Sequence, residues 1–223
     1  KDEILAYIER LGYNVSYGIL NAKRFGVPQA RERAIFICSK SKKIPLPVGT
    51  DDIVTVRDAI SDLAYLASAE GDFELDYVTV AQTDYQRMMR MNSKKLYNHK
   101  ASAHSDIALQ KLAMIPPEKG KEYLPEEMWG KQKFNTTWGR LVWDAVSPTI
   151  DTRFDTPSNG TNSHPELNRA ITPREAARIQ SFDDKFVFYG SKFYIRSQIG
   201  NAVPPLMAEA IANEIWENYY EEE

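Results

Sequence analysis

The amino-acid sequence predicts an α/β fold. Three observations carry that prediction: a helix, strand, loop, strand opening; a central region where periodicity fails; and a return to well-capped helices near the C-terminus. Residues 2–11, DEILAYIERL, place Ile4, Leu5, Ile8 and Leu11 on one helical face, and Gly12 follows as a left-handed stop. Tyr13, Val15, Tyr17 and Ile19 then alternate with Asn14, Ser16 and Gly18, and Ala34 to Cys38 is a short apolar run, so two strands flank a loop rich in Arg, Gly and Pro. After the proline-broken Ile44-Pro45-Leu46-Pro47, residues Thr55 to Leu63 read as a helix, with Thr55 as N-cap and Asp58 three positions on.

From about Ala67 to His164 the pattern degrades. Asp106 to Met114 is the convincing helix there, stopped by Pro116-Pro117, beside short strand-like pieces such as Arg140 to Trp143; we expect a separate, irregular domain. Thr172-Pro173-Arg174-Glu175 is a capping box with proline at the first helical position, opening a helix expected to reach Phe182. Phe186 to Gly190 fits a strand, Phe193 to Ile199 a helical piece, and Pro204-Pro205 opens a last amphipathic helix with Leu206, Met207, Ile211, Ile215 and Trp216.

Composition narrows the function classes. The 223 residues, 43% hydrophobic and 26% charged, contain no apolar run near the roughly 20 residues that cross a bilayer, which argues against a membrane role. The single cysteine, Cys38, excludes an intrachain disulfide and favours a reducing, cytoplasmic setting; in its strand run it is expected to pack in the core. His99, His104 and His164 show no ligand spacing, so no metal site is expected. No Ser, His and Asp constellation or paired-carboxylate motif supports a hydrolase. The net charge of −3 hides a basic stretch, Tyr85 to Lys100, with five cations and no acid, opposed by an acidic tail after Leu206. The chain opens on Lys1-Asp2-Glu3-Ile4 without an initiator methionine, and we expect further sequence upstream.

Three blocks, in order, resemble motifs of the DNA (cytosine-5) methyltransferase family. Phe25-Gly26-Val27-Pro28-Gln29-Ala30-Arg31-Glu32-Arg33 is similar to the family's eighth motif with its Gln-x-Arg-x-Arg core. Arg169 to Phe182 is similar to the ninth, and Gly200-Asn201-Ala202-Val203-Pro204-Pro205 to the tenth. Asp183 stands where many members carry proline. Arg-x-Arg, a capping box and Gly-Asn are each common; their order and spacing carry the resemblance. It implies the C-terminal part of a Rossmann-like methyltransferase fold over residues 1–66, a small, irregular, mostly β target-recognition domain over 67–165, and a helical return over 166–223.

The resemblance also implies roles. Members transfer a methyl group from S-adenosylmethionine to carbon 5 of a cytosine rotated out of double-stranded DNA, and for this chain we expect a bacterial or phage modification system. Arg33 would contact the substrate, Arg31 would hold the loop, and Gln29 belongs with them in the catalytic set; Asn201, Ala202 and Val203 would form part of the cofactor pocket. Thr149 matches a dipeptide whose hydroxyl bonds a phosphate beside the flipped nucleotide, against the plain reading of a strand threonine after proline. Arg87, Arg90, Lys94 and Lys95 would neutralise phosphates, with a solvated helix face as the plain reading. Arg140 and Arg153, with Asn135 and Asn159, are candidates for reading bases. The family's Pro-Cys-Gln nucleophile, Glu-Asn-Val glutamate and Gly-containing cofactor turn do not occur in this sequence, so activity should need a missing N-terminal catalytic part or a second subunit. A non-catalytic DNA-binding module and an RNA methyltransferase relative stay open as other readings.

Overall fold

The computed structural model describes residues 1–63, 66–130 and 135–220. Glu221 to Glu223 of the acidic tail lie outside the described residues. The opening helix α1 (Asp2–Arg10) leads through Gly12, at φ +79°, into an antiparallel hairpin of β1 (Asn14–Asn21) and β2 (Glu32–Ser39), with Val15 opposite Cys38 and Leu20 opposite Arg33. The apolar residues of α1 share a face as expected, yet none is buried. Cys38 is exposed, which corrects the expectation of a core position: strand alternation puts it on the outward face while Ile37 points inward.

Beyond Ile44 the chain enters the main body. The Thr55 capping box is present, with the Thr55 side chain accepting from the Asp58 amide, and it opens α2 (Val56–Ile60), which continues as a 3-10 turn to Leu63. The central region is less β-rich than expected. It holds α3 (Asp84–Arg90), which the basic stretch obscured, and α4 (Asp106–Met114), alongside the antiparallel pair β3 (Gly71–Leu75) and β4 (Leu96–Lys100) and the short parallel pair β5 (Gly139–Arg140) and β6 (Thr161–Ser163). The strand expected over Arg140 to Trp143 pairs only at its start, after which Leu141 donates its amide to Ser163.

Helix α5 (Pro173–Ile179) starts at the predicted capping box and ends early, before Ser181 turns at φ +65°. Residues 186–190 do not form the expected strand. The Asn98 side-chain amide donates to the Phe188 carbonyl at 2.9 Å and accepts from its amide at 2.9 Å, taking the place of a neighbouring strand, while Phe182, Phe186 and Phe188 pack ring against ring. The helices α6 (Lys192–Asn201) and α7 (Pro205–Tyr220) complete the order.

Packing divides the chain differently from the sequence. The main apolar cluster joins Val56 and Ile60 of α2, Tyr85 and Met89 of α3, Leu141, Ile150 and Phe154, and Ile171, Ile179 and Ile199 around α5 and α6. The central region therefore shares its core with the segments on either side of it, with a smaller cluster of Leu112, Ile115, Leu124 and Trp138 under α4. A third cluster, Ala22, Val27 and Met207, packs α7 against the hairpin.

Beneath α5 lies a buried ionic network. Arg178 donates to both oxygens of Asp184, at 2.9 and 2.7 Å, and to Asp62 at 2.7 Å; Arg169 forms a two-pronged pair with Glu175 at 2.7 Å. Every charge there meets its opposite, the condition under which burial of such groups is tolerated.

Candidate active-site cleft

The turn between β1 and β2 builds the floor of the site. Gly26 sits at φ +71°, a conformation an L side chain rarely adopts, and redirects the chain so that residues 28–30 run beside 147–149. Backbone bonds from Ala30 N to Ser147 O and from Ser147 N to Pro28 O, at 2.8 and 3.0 Å, join the two segments, and the Thr149 hydroxyl donates to Ala30 O at 2.9 Å. Gln29 is fully buried behind them. Its amide donates to Gln180 Oε1 and accepts from Ile150 N, both at 2.8 Å, while Gln180 donates to Ile199 O at 2.7 Å.

Arg31 closes the arrangement. Its fork donates to Ile150 O at 2.9 Å and Gly200 O at 2.8 Å, tying the turn, the segment after Thr149 and the end of α6 together. Gly200 is required by this approach: a Cβ there would stand 2.5 Å from the Asp151 carbonyl carbon and 2.6 Å from the Thr152 nitrogen. The result is an open cleft of about 280 Å3 lined by Arg31, Arg33, Thr149, Ile150, Asp151, Thr152, Gly200 and Asn201.

The electrostatics of the cleft are cationic. Burial, and secondarily the neighbouring charge of Arg33, lower the Arg31 pKa to about 10, so it remains protonated at neutral pH. Both of its protein acceptors are neutral carbonyls, and no ion pair of Arg31 or Arg33 occurs among the described residues. The Asp151 carboxylate on the same cleft is turned to Arg153 N and Asn159 Nδ2, at 2.6 and 2.7 Å, so the two adjacent guanidinium groups are left unpaired and suit an anionic or carbonyl-rich ligand.

Arg31, Arg33, Thr149 and Asn201, chosen from separate stretches of sequence, thus line one cleft. Ala202 and Val203 follow directly, and Val203 is exposed. Gln29 holds the framework from behind and does not reach the surface. Several DNA-contact expectations meet other placements. Arg140 is buried, and its five N–H groups go to the carbonyls of Leu112, Ile115, His164 and Leu167 and to Asn168 Oδ1, so it closes the end of α4 and leaves no donor for a base. Arg90 donates to the buried Asp62 and to Thr79 O, with its guanidinium over the Tyr77 ring. Arg87 pairs with Asp84 at 2.6 Å and Lys95 with Asp76 at 2.7 Å, while Lys94 and Arg153 are exposed. Asp151, Gln180 and Gly200 take part through tertiary contacts, and the close approach at Gly200 is a feature that Gly-Asn alone does not reveal.

Residues 1–217 match the family described as C-5 cytosine-specific DNA methylase. The chain belongs to this family. Among curated relatives it is 34% identical to the type II methyltransferase M.DdeI of Desulfomicrobium norvegicum, covering 96% of this chain and 57% of that protein. It is 35% identical to M1.HphI of Haemophilus parahaemolyticus, covering 96% and 50%. An Arabidopsis thaliana DNA (cytosine-5)-methyltransferase 2 is 29% identical over 97% of this chain and 18% of its own length. The chain thus spans roughly half the length of the bacterial relatives it matches. In fold it resembles a prophage-encoded E. coli protein assigned as a DNA modification methyltransferase, with a TM-score of 0.74 at 23% identity over 99% of this chain and 65% of that one.

Proposed function

We propose that this chain is the DNA-reading and base-positioning part of a DNA (cytosine-5) methyltransferase, which transfers a methyl group from S-adenosylmethionine to carbon 5 of a cytosine extruded from a specific duplex sequence. The observation that carries it is the convergence of the three family motifs on one cationic cleft through Arg31, Gln29 and Gln180. In this reading the β1–β2 hairpin and α7 are the C-terminal part of a Rossmann-like domain, and residues 67–165 are the target-recognition domain.

Extruding a base costs a few kcal/mol in lost stacking and pairing. Hydrogen bonds to charged donors return about 1.5–3 kcal/mol each, so two contacts from Arg33 and its surroundings offset the cost. Arg33, half-buried at the rim, holds an acceptor oxygen of the base; Arg31 keeps Ile150 and Gly200 in place and adds positive charge behind it. The single hydroxyl proton of Thr149 goes to Ala30 O in this structure, so donating it to a DNA phosphate requires giving up that bond. Exposed Lys94 and Arg153 lie free to meet the backbone.

The residues at the end of α6 fit the methionine end of the cofactor in chemistry: Asn201 presents an exposed amide on the cleft and Val203 an exposed apolar side chain. S-Adenosylmethionine, when bound, supplies the electrophilic methyl group. The thiolate that attacks the base comes from outside this chain, since Cys38 lies on β2 and does not line the cleft.

The test supplies labelled S-adenosylmethionine and duplex DNA to the chain alone and to the chain joined with a family N-terminal part carrying Pro-Cys-Gln. Label should enter cytosine only in the second case; transfer by the chain alone overturns the division of labour. In the joined protein, Arg33→Ala should lower methylation far more than duplex binding, and equal loss of both contradicts its place at the base.

A further inference from the structure

Asp155 is nearly buried and lies outside the cleft, yet it joins three parts of the molecule. Its carboxylate accepts from Arg196 Nη1 at 2.6 Å and Lys192 Nζ at 3.0 Å, both on α6, and from Ser102 Oγ at 3.3 Å, just beyond β4. Burial alone would raise its pKa; the hydrogen bonds from Arg196 and Lys192 outweigh that and hold it lowered, so the group is a carboxylate at neutral pH.

Helix α6 ends on Asn201, the residue offered to the cofactor. Arg196 precedes Asn201 by five residues, about 7.5 Å along the axis at 1.5 Å per residue. At its C-terminal end α6 is held by the Arg31 bond to Gly200 O and by the backbone contact of Gly200 with Asp151. The Gln180 bond to Ile199 O, the Gln198 bond to Tyr189 O and the packing of Ile195 and Ile199 on the core also hold this helix. Asp155, four residues along the same segment that carries Asp151, adds an ionic tie to its first half through Lys192 and Arg196 and so couples that segment to the helix direction.

We propose that the Asp155–Arg196 pair is a positioning pair that aligns α6 with the segment 149–160, so that the cofactor-facing Asn201 and the DNA-facing Thr149 and Arg33 share one cleft. This rests on the functional reading above. Its consequence is that a change on the DNA-side segment, away from the cleft, weakens cofactor binding.

The experiment uses the full protein, this chain with its catalytic part, and measures S-adenosylmethionine affinity by calorimetry in wild type, Asp155→Asn, Arg196→Gln, Arg196→Lys and the double variant D155N/R196Q. Asp155→Asn and Arg196→Gln should each raise the cofactor Kd by roughly tenfold, within the range usual for coupling between sites. The double variant should be no worse than Asp155→Asn alone, because loss of that carboxylate already removes its pairs with both Arg196 and Lys192. Arg196→Lys, which keeps the charge, should stay within about threefold of wild type. A merely structural pair would lower the thermal midpoint and leave the Kd of the folded protein unchanged. Cofactor affinities within about twofold of wild type in both single variants overturn the proposal, as do multiplying losses in the double variant. An Arg196→Lys loss equal to that of Arg196→Gln overturns the ion pair as its basis. Wild-type protein that binds no S-adenosylmethionine instead overturns the functional reading, and that is read before any variant.

Discussion

Two buried arginines, Arg31 at the cleft and Arg178 beneath α5, do opposite things with the same side chain. Arg178 meets Asp184 and Asp62 with three charge-assisted bonds, and burial, which opposes its charge, is outweighed by those carboxylates, so its pKa is raised. Arg31 meets two neutral carbonyls beside a second arginine, and its pKa falls to about 10. Neutralised charge makes a scaffold; charge held by dipoles alone leaves a positive potential for something else to satisfy. The difference marks which part of the molecule is built to stay and which to receive a ligand.

The largest effect should come from breaking the neutralised side. Asp184→Asn preserves shape but leaves Arg178 with Asp62 as its remaining carboxylate, while Arg174 at 3.6 Å and the Tyr77 hydroxyl at 2.7 Å lose their anion. Removing one partner of a buried pair costs about 3–5 kcal/mol. At about 2–4 °C per kcal/mol for a chain of this size, the thermal midpoint should drop by roughly 10 °C. A drop of under about 3 °C would mean that the network is not closed as described.

Acid should act on the same scaffold through its histidines. His99 donates from Nε2 to Leu63 O at 3.0 Å and accepts at Nδ1 from the Thr172 hydroxyl at 2.9 Å, an assignment that requires the neutral ring. His164 likewise accepts at Nδ1 from the amides of Glu166 and Leu167, at 3.2 and 3.1 Å. Burial is the main cause that lowers both pKa values from 6.5 to about 4. The unfolded chain therefore binds more protons between these values, and stability must fall as pH drops from 6.5 towards 4. Glu175 acts lower: the pair with Arg169 outweighs burial and brings its pKa to about 2, so its contribution is full above 4.5 and is lost as pH falls towards 2. Denaturant midpoints measured against pH should show the two windows, and His164→Gln should flatten the first. A stability unchanged between pH 6.5 and 4 would contradict the neutral rings.

What was legible in the sequence was local. Thr55, Thr172 and the Gly12 stop announce their elements within four residues, and the structure carries them out. The Thr83 box with Gln86 has the same chemistry, and the helix it opens carries Arg87 and Arg90, in keeping with the plain reading of those cations as a helix face. The misplaced residues depend on distant partners: Arg140 on carbonyls from four separate positions, Phe188 on Asn98, Arg90 on Asp62. In the cleft, Arg31, Arg33, Thr149 and Asn201 were reached through motif resemblance, whereas Asp155 and Gln180 matter through contacts that no spacing encodes.

At the cleft, Arg31→Lys should separate stability from function. Lysine keeps the charge but is a point donor that cannot span both Ile150 O and Gly200 O. In the joined enzyme, methylation should fall at least about tenfold, a loss of about 1.4 kcal/mol of transition-state stabilisation, while the thermal midpoint moves far less than in Asp184→Asn. A midpoint shift as large as that of Asp184→Asn with methylation intact would reverse the assignment of ligand-receiving and scaffold roles.

The smallest effect sharpens the same contrast at the surface. In the stretch from Arg87 to Lys100, most cations already have carboxylates beside them: Arg87 with Asp84, Arg90 with Asp62, Lys95 with Asp76, and Lys100 with Asp72 at 3.9 Å. The Arg90 pair is buried and holds that cation in place; the other three are exposed and weak in water, but binding a phosphate must still compete with them, so their contribution to duplex affinity is discounted. Lys94 is exposed and carries the undiscounted charge. Lys94→Ala should reduce the slope of log affinity against log salt by about one, with equal loss on target and non-target duplexes. Arg87→Ala should change the slope by less, since Asp84 already neutralises that cation and the freed carboxylate is screened by solvent. A larger slope change from Arg87 than from Lys94 would show that DNA displaces the Asp84 pair, and that neighbouring carboxylates do not decide which cations of this surface meet the backbone.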